Sequence, residues 1–205
     1  MKLYTSRLAP NPRRVRWFMA EKSIADVAIA EIDLFSGVQK TTAYLDEVGV
    51  PMAPALVLDD GSVITESVAI CRYLEALYPE PNLFGLDPRE TAHIEMWTRR
   101  AELMAAQPMM LAVRHGHPAL AALETQNPEI FAANRAQAEM ALKLFEKRLG
   151  DTEWIAGDRL TVADGILFIG LEFARMVKLR VPEEAAHLSR WQAAMRARGS
   201  ASAGT

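Results

Sequence analysis

Glu66 and Ser67, side by side in the chain, carry the groups needed to hold a zwitterion. A serine that opens a helix leaves backbone N–H groups and the positive end of the helix dipole available to an anion. A carboxylate next to it accepts hydrogen bonds from an ammonium. The pair suits an α-amino acid head, with carboxylate on the helix and amine on Glu66. It also reads as a plain helix cap beside a dipole-friendly acid. Ala53-Pro54 leads the same stretch. With a cis bond before Pro54, the N–H and C=O of Ala53 face outward and pair with a peptide ligand as a short added strand. With a trans bond, Pro54 is an ordinary strand start. Asn11-Pro12-Arg13-Arg14 opens another helix, with Asn11 as its cap and Arg13 and Arg14 as solvated cations. A helix N-terminus lowers the pKa of a thiol held there.

Other reactive types carry less. Cys71, four residues beyond Ser67, reads as a small buried hydrophobe. His115-Gly116-His117 has no third ligand at suitable spacing and reads as a polar turn before Pro118, so no metal is expected. Met104, Met109 and Met110 either pack the core or line an adaptable apolar pocket. Thr161-Val162-Ala163-Asp164 matches a reciprocal capping box with Asp in place of Glu, a structural role.

The elements that must position these groups follow from the patterning. Lys2–Ser6 is a short strand, Val15, Phe18 and Met19 mark a helix, and Val27–Asp33 alternates as a half-buried strand should. Pro54–Leu58 and Ser62–Thr65 flank Asp59-Asp60-Gly61, a hairpin signal. Ile70, Tyr73, Leu74, Leu77 and Tyr78 keep one helical face apolar. Three prolines and a glycine in the stretch Tyr78–Pro88, ends included, then mark a linker. Beyond it come helical stripes: Ile94, Trp97, Ala101 and Met104, interrupted near Pro108; Ala138, Ala141, Leu142, Phe145 and Leu149; Val162, Ile166, Ile169, Phe173 and Val177; and Leu188, Trp191 and Met195. The expected division is an α/β domain over 1–78, a linker over 79–87 and an all-α domain over 88–205, with a fraying tail from Gly199.

Composition sets limits. The chain has 205 residues, 50% apolar and 24% charged, enough to bury one large core or two small ones. The net charge is −3 and no basic run exceeds Arg13-Arg14, so nucleic acid is not an expected partner. No apolar run reaches membrane-spanning length. The N-terminus enters strand-like sequence without an apolar signal segment, and the single cysteine excludes an internal disulfide. A cytoplasmic protein is expected.

Taken in order, these pieces resemble the cytosolic glutathione transferase superfamily. The resemblance runs from Ala9-Pro10-Asn11-Pro12-Arg13-Arg14-Val15-Arg16 through Gly37-Val38-Gln39-Lys40, Ala53-Pro54-Ala55-Leu56 and Glu66-Ser67-Val68-Ala69-Ile70-Cys71-Arg72-Tyr73-Leu74 to Gly157-Asp158-Arg159-Leu160-Thr161-Val162-Ala163-Asp164. It implies a thioredoxin-like α/β N-terminal domain, an all-α C-terminal domain and a homodimer. It implies that Ala53, before a cis Pro54, pairs its backbone with the cysteinyl part of glutathione. Glu66 and Ser67 hold the γ-glutamyl head, Gln39 and Lys40 bind the glycine carboxylate, and Asp164 is the capping acid.

Two departures stand out. Many relatives carry a serine at the position of Ala9, where it donates to the glutathione sulfur; Ala9 has no hydroxyl. Asn11, Ser6 or backbone N–H groups at the start of the first helix are the substitutes, and Tyr4 is given no catalytic part. Met52 stands where relatives often have a polar residue, which removes a polar contact to the ligand.

The resemblance implies a transferase that moves the glutathione thiolate to a small hydrophobic electrophile, with a detoxifying role. The electrophile would lie in an apolar cleft whose residues include Trp97, Arg100, Met104 and Met110. Two alternatives remain: glutathione-dependent disulfide reduction using Asn11, and a non-catalytic glutathione-binding scaffold or sensor.

Overall fold

The structure, a computed structural model, describes residues 1–7 and 9–205. Two compact units emerge: residues 1–81 together with 199–205, and residues 82–198. The division falls at Pro81, inside the expected linker. The tail, expected to fray beside the helices, belongs to the first unit.

Four strands form the first unit's sheet in the order β2-β1-β3-β4. β1 (Lys2–Thr5) runs parallel to β2 (Ala28–Glu31) and antiparallel to β3 (Ala55–Val57), and β3 pairs antiparallel with β4 (Val63–Thr65). Parallel neighbours need a crossover, which α1 (Pro10–Glu21) supplies. The Asp59-Asp60-Gly61 turn closes the β3–β4 hairpin, with Leu58 N–H on the Ser62 carbonyl at 2.8 Å. β2 corrects the expectation of a half-buried strand. It is an edge strand with one neighbour, and most of its residues are exposed.

α1 and α3 (Ser67–Leu77) face each other through matching stripes four residues apart. Arg14 and Phe18 on α1 and Lys22 at its C-cap are buried, as are Ser67, Cys71 and Glu75 on α3. The Arg14 guanidinium lies 3.4 Å from Ser67 Oγ, and Lys22 pairs with Glu75 at 2.7 Å. N-terminal partners meet at one end and C-terminal partners at the other, so the two helices run parallel. Lys22 Nζ also donates to the carbonyls of Tyr78 at 2.6 Å and Pro81 at 2.8 Å. Burial pushes the Cys71 thiol far up, although the Arg14 charge opposes it. Native protein at pH 8 should therefore leave an aromatic disulfide reagent unreacted, and unfolded protein should release one equivalent of its chromophore.

The tail is held to α1. Gly199–Ser202 forms a 3₁₀ turn, Ser200 is buried with its hydroxyl on the Glu21 carboxylate, and Arg13 donates to the Ala201 carbonyl at 2.8 Å.

In the second unit, α4 (Pro88–Arg100) passes through a π-helical stretch, Ala101–Ala106, into α5 (Gln107–Gly116). A proline inside a helix clashes with the carbonyl four residues back, and the wider turn just ahead of Pro108 accommodates it. The wider turn also shifts the register. The buried stripe Ile94, Trp97, Ala101 continues to Ala105, and Met104 is exposed instead of buried. α6 (Pro128–Asp151), α7 (Val162–Ala174) and α8 (Ala186–Arg196) complete this unit, with α7 buried along most of its length.

Glu172 on α7 accepts from Arg196 at 2.6 Å and Arg175 at 2.8 Å. Burial pushes its carboxyl up, but the two guanidiniums outweigh that and hold it below the usual carboxylate value of 4.5. A depressed folded-state pKa gives stability that is present above the unfolded value and lost as pH falls through the folded one. The stability gap between the wild type and Glu172→Gln should be full at pH 7 and shrink as pH falls below the usual carboxylate value of 4.5 in urea titrations.

Candidate functional site

Strand register places the candidate residues of the first unit at one end of the sheet. Tyr4 pairs with Ala55, Ala55 with Thr65, and Thr5 with Glu31. The next residues outward are Ser6 after β1, Ala53-Pro54 before β3 and Glu66-Ser67 after β4. The chain leaving β2 at this end leads to the 3₁₀ turn Val38–Lys40, which carries Gln39 and Lys40. The Ala53–Pro54 peptide bond is cis. Ala53 lies before the first paired residue of β3, and among the described residues neither its N–H nor its C=O has a partner.

Two helix N-termini meet at this end, because α1 and α3 run parallel. α1 starts two residues, and α3 one residue, earlier than its expected cap would place it. Ala9, not Asn11, is the N-cap of α1, and Asn11 sits inside the first turn. Glu66, not Ser67, is the N-cap of α3, and its backbone takes φ 66°, a conformation side chains rarely adopt. Such strain costs about 1–3 kcal/mol and persists where the surroundings fix it.

The two helix mouths differ in donors. Ile70 N–H bonds to the Glu66 carbonyl, leaving the N–H groups of Ser67, Val68 and Ala69 ahead of the α3 ladder. α1 begins Pro10-Asn11-Pro12, prolines have no N–H, and the Arg13 N–H bonds to the Ala9 carbonyl. Within that turn only the Asn11 N–H is left. The Asn11 side-chain oxygen is buried with no partner among the described residues. The α3 mouth carries Ser67 Oγ with the buried Arg14 guanidinium beside it. The α1 mouth is a single-residue donor.

Sequence reasoning missed Arg14, which was expected in solvent and is buried at 3% exposure. Its spacing with Phe18 and Lys22 was the available signal. Gln39 is buried, its amide donates to the Leu34 carbonyl at 3.2 Å, and its side-chain oxygen has no partner among the described residues. Lys40, Met52 and Glu66 are exposed, and Ser6 is buried. The Tyr4 hydroxyl donates to Glu47 at 2.6 Å, in keeping with a structural part.

Trp97, Arg100, Met104 and Met110 all belong to the second unit. Trp97 is buried against Phe145 with the guanidiniums of Arg100 and Arg148 over its ring, at 4.7 and 4.9 Å from the centroid. Met110 is half-buried. Thr161 and Asp164 form the expected capping box: the Thr161 N–H and hydroxyl donate to Asp164 Oδ2 at 2.9 and 3.0 Å. Asp164 Oδ1 accepts from Ile155 N–H at 2.9 Å and from the Trp191 indole at 2.8 Å. Burial pushes this carboxyl up, and the four donors oppose it. Among the described residues no cluster of three or more His, Cys, Asp or Glu could hold a metal ion, and no helix is long and apolar enough to cross a membrane.

A four-stranded mixed sheet, with two helix N-termini at one end, is followed in sequence by a helical unit. Residues 3–82 match the family model for the glutathione S-transferase N-terminal domain, and residues 103–198 match that for the C-terminal domain. The chain is 36% identical over 203 residues to glutathione S-transferase 2 of Saccharomyces cerevisiae, covering 98% of this chain and 87% of that one. It superposes on the crystal structure of Gtt2 from S. cerevisiae with a TM-score of 0.90 at 36% identity, covering 98% of each chain. A glutathione S-transferase domain-containing protein of Marinobacter aquaeolei VT8 gives a TM-score of 0.91 at 33% identity, covering 98% of this chain and 100% of that one. The chain therefore belongs to the cytosolic glutathione S-transferase superfamily and is a transferase of that family.

Proposed function

We propose that the chain binds glutathione along this end of the sheet and transfers its thiolate to a small hydrophobic electrophile. The observation that carries the reading is the meeting of the unpartnered Ala53 backbone with the two unequal helix mouths. The γ-glutamyl carboxylate sits on the α3 N–H groups and Ser67, and the amine faces Glu66. The cysteinyl peptide pairs with Ala53, and the glycine carboxylate lies at Gln39 and Lys40. Asn11 is the donor for the sulfur, in place of the hydroxyl that Ala9 lacks, with Ser6 nearby. Trp97, Arg100, Met104 and Met110 contribute to the electrophile's surroundings. The protein acts in the cytoplasm as a homodimer, so sedimentation should give twice the chain mass.

Glutathione titration followed by thiolate ultraviolet absorbance tests this. The wild type should develop the thiolate band at neutral pH. Asn11→Ala should still bind glutathione but lose most of the band and about a hundredfold in turnover, the usual effect of removing one positioned donor. An unchanged band in Asn11→Ala removes Asn11 from the role. No binding by the wild type removes the reading.

The absence of a hydroxyl at Ala9 favours a second reaction. Here the glutathione thiolate attacks one sulfur of a small disulfide, forming a mixed disulfide and releasing the other sulfur as a thiolate. Turnover of a small disulfide that is lost in Asn11→Ala, with no conjugation across a panel of electrophiles, would favour this reaction. Thiolate-free binding with neither activity would favour a scaffold.

A further inference from the structure

The peptide unit between Met52 and Ala53 is gripped at its carbonyl: the Tyr44 hydroxyl donates to the Met52 carbonyl oxygen at 2.6 Å. The preceding peptide is held as well, its Met52 N–H donating to the Val50 carbonyl at 2.9 Å. Tyr44 comes from the first turn of α2 (Thr42–Val48) and is 4% exposed. Its ring meets Tyr4 edge-on at 5.0 Å and packs with Val48 and Ala55. Burial, then the neighbouring Tyr4 and Glu47, pushes the phenol up to about 12, so it remains a donor throughout the working pH range.

The geometry of the peptide does the rest. The cis bonds among the described residues are those before Pro54 and Pro81, so the Met52–Ala53 bond is trans. A trans peptide is planar, with its C=O and N–H pointing in opposite directions. A carbonyl held towards Tyr44 therefore turns the Ala53 N–H away from it. A carbonyl that accepts a hydrogen bond also strengthens the N–H of its own peptide as a donor.

We propose that Tyr44 is a positioning residue whose hydroxyl fixes the Met52–Ala53 peptide and so presents the Ala53 N–H to the cysteinyl carbonyl of glutathione. The inference rests on the glutathione reading above. It assigns a ligand-orienting part to a buried side chain on a helix that contributes none of the candidate contact residues.

The variant is Tyr44→Phe, which keeps the ring in its packing and removes only the hydroxyl. The expected result is a KM for glutathione raised about five- to tenfold, the equivalent of one hydrogen bond, with kcat at saturating glutathione nearly unchanged. A folded Tyr44→Phe with unaltered KM overturns the inference, as does one that loses kcat while keeping KM. Nuclear magnetic resonance of the wild type supplies a reading that needs no variant. The Ala53 amide proton should move downfield as glutathione saturates the protein, and a proton that stays in place overturns the inference. Calorimetry separates the two levels. Failure of the wild type to bind glutathione removes both, whereas equal affinity in wild type and Tyr44→Phe removes the Tyr44 inference alone.

Discussion

Replacing Asp164 by alanine is expected to cost the second unit about 3–5 kcal/mol, the penalty of stranding its buried hydrogen-bond donors. The carboxylate is wholly buried and accepts four hydrogen bonds, from two backbone N–H groups, a threonine hydroxyl and an indole. Its loss leaves Ile155 N–H, Thr161 N–H and the Trp191 indole without acceptors in a site that water does not reach. Each stranded donor costs about 1–3 kcal/mol, and relaxation around the smaller side chain recovers part of the sum. Asn in place of Asp keeps one oxygen but turns an NH₂ group towards donors, so it should fall between alanine and wild type. Urea unfolding followed by tryptophan fluorescence measures both variants. An unfolding free energy for Asp164→Ala within about 0.5 kcal/mol of wild type would remove the network's claim to hold α7, α8 and the turn closed by mutual backbone hydrogen bonds between Trp154 and Gly157 together.

Lys22→Met is expected to cost the first unit a similar amount, about 3–5 kcal/mol. The ammonium is fully buried and serves three acceptors: Glu75, the Tyr78 carbonyl and the Pro81 carbonyl. Methionine follows the same path past the Phe18 ring but takes the positive charge away from Glu75. Adding Glu75→Leu to Lys22→Met should recover part of the loss, because a buried ion pair replaced by packed apolar groups is often tolerated. The double-mutant cycle reads the coupling directly. Proteolysis should report it too, since without Lys22 the stretch from Tyr78 to Pro81 loses its donor and should become the preferred site of cleavage. Equal protease resistance in Lys22→Met and wild type would contradict the clamp.

Much of this was legible in the chain because the relevant signals are local. Asp59-Asp60-Gly61 between two apolar runs can close a hairpin and little else, and Thr161 to Asp164 needs only four residues to define its box. The misses share a different cause. Whether Glu66 or Ser67 caps α3 depends on a positive φ that nothing in a Glu-Ser pair announces. Arg14 looks solvated by type, and only the facing stripe of α3 makes its burial favourable. β2 alternates well enough to suggest half-burial, yet its exposure is set by its place at the sheet's edge. Met104 falls on the right helical phase until the π-helical stretch ahead of Pro108 rotates it outward. The candidate site divides the same way. The types and order of its residues could be read along the chain, whereas the poverty of donors at α1 became visible only when Ala9 proved to be the cap.

The tail shows what small residues conceal. A run of Gly, Ser and Ala after Arg198 has the composition of a frayed end, yet one of its glycines fits where a larger residue could not. A Cβ on Gly204, whose φ is +73°, would stand 3.0 Å from the Arg16 Cβ and 3.3 Å from the Arg13 Cα. The first unit is consequently discontinuous in sequence: its first 81 residues and residues 199–205 are separated by the whole second unit. Synthesis from the N-terminus makes residues 82–198 before it makes the turn that covers α1. The helix carrying Asn11 thus receives this turn only after every residue of the helical unit has been made.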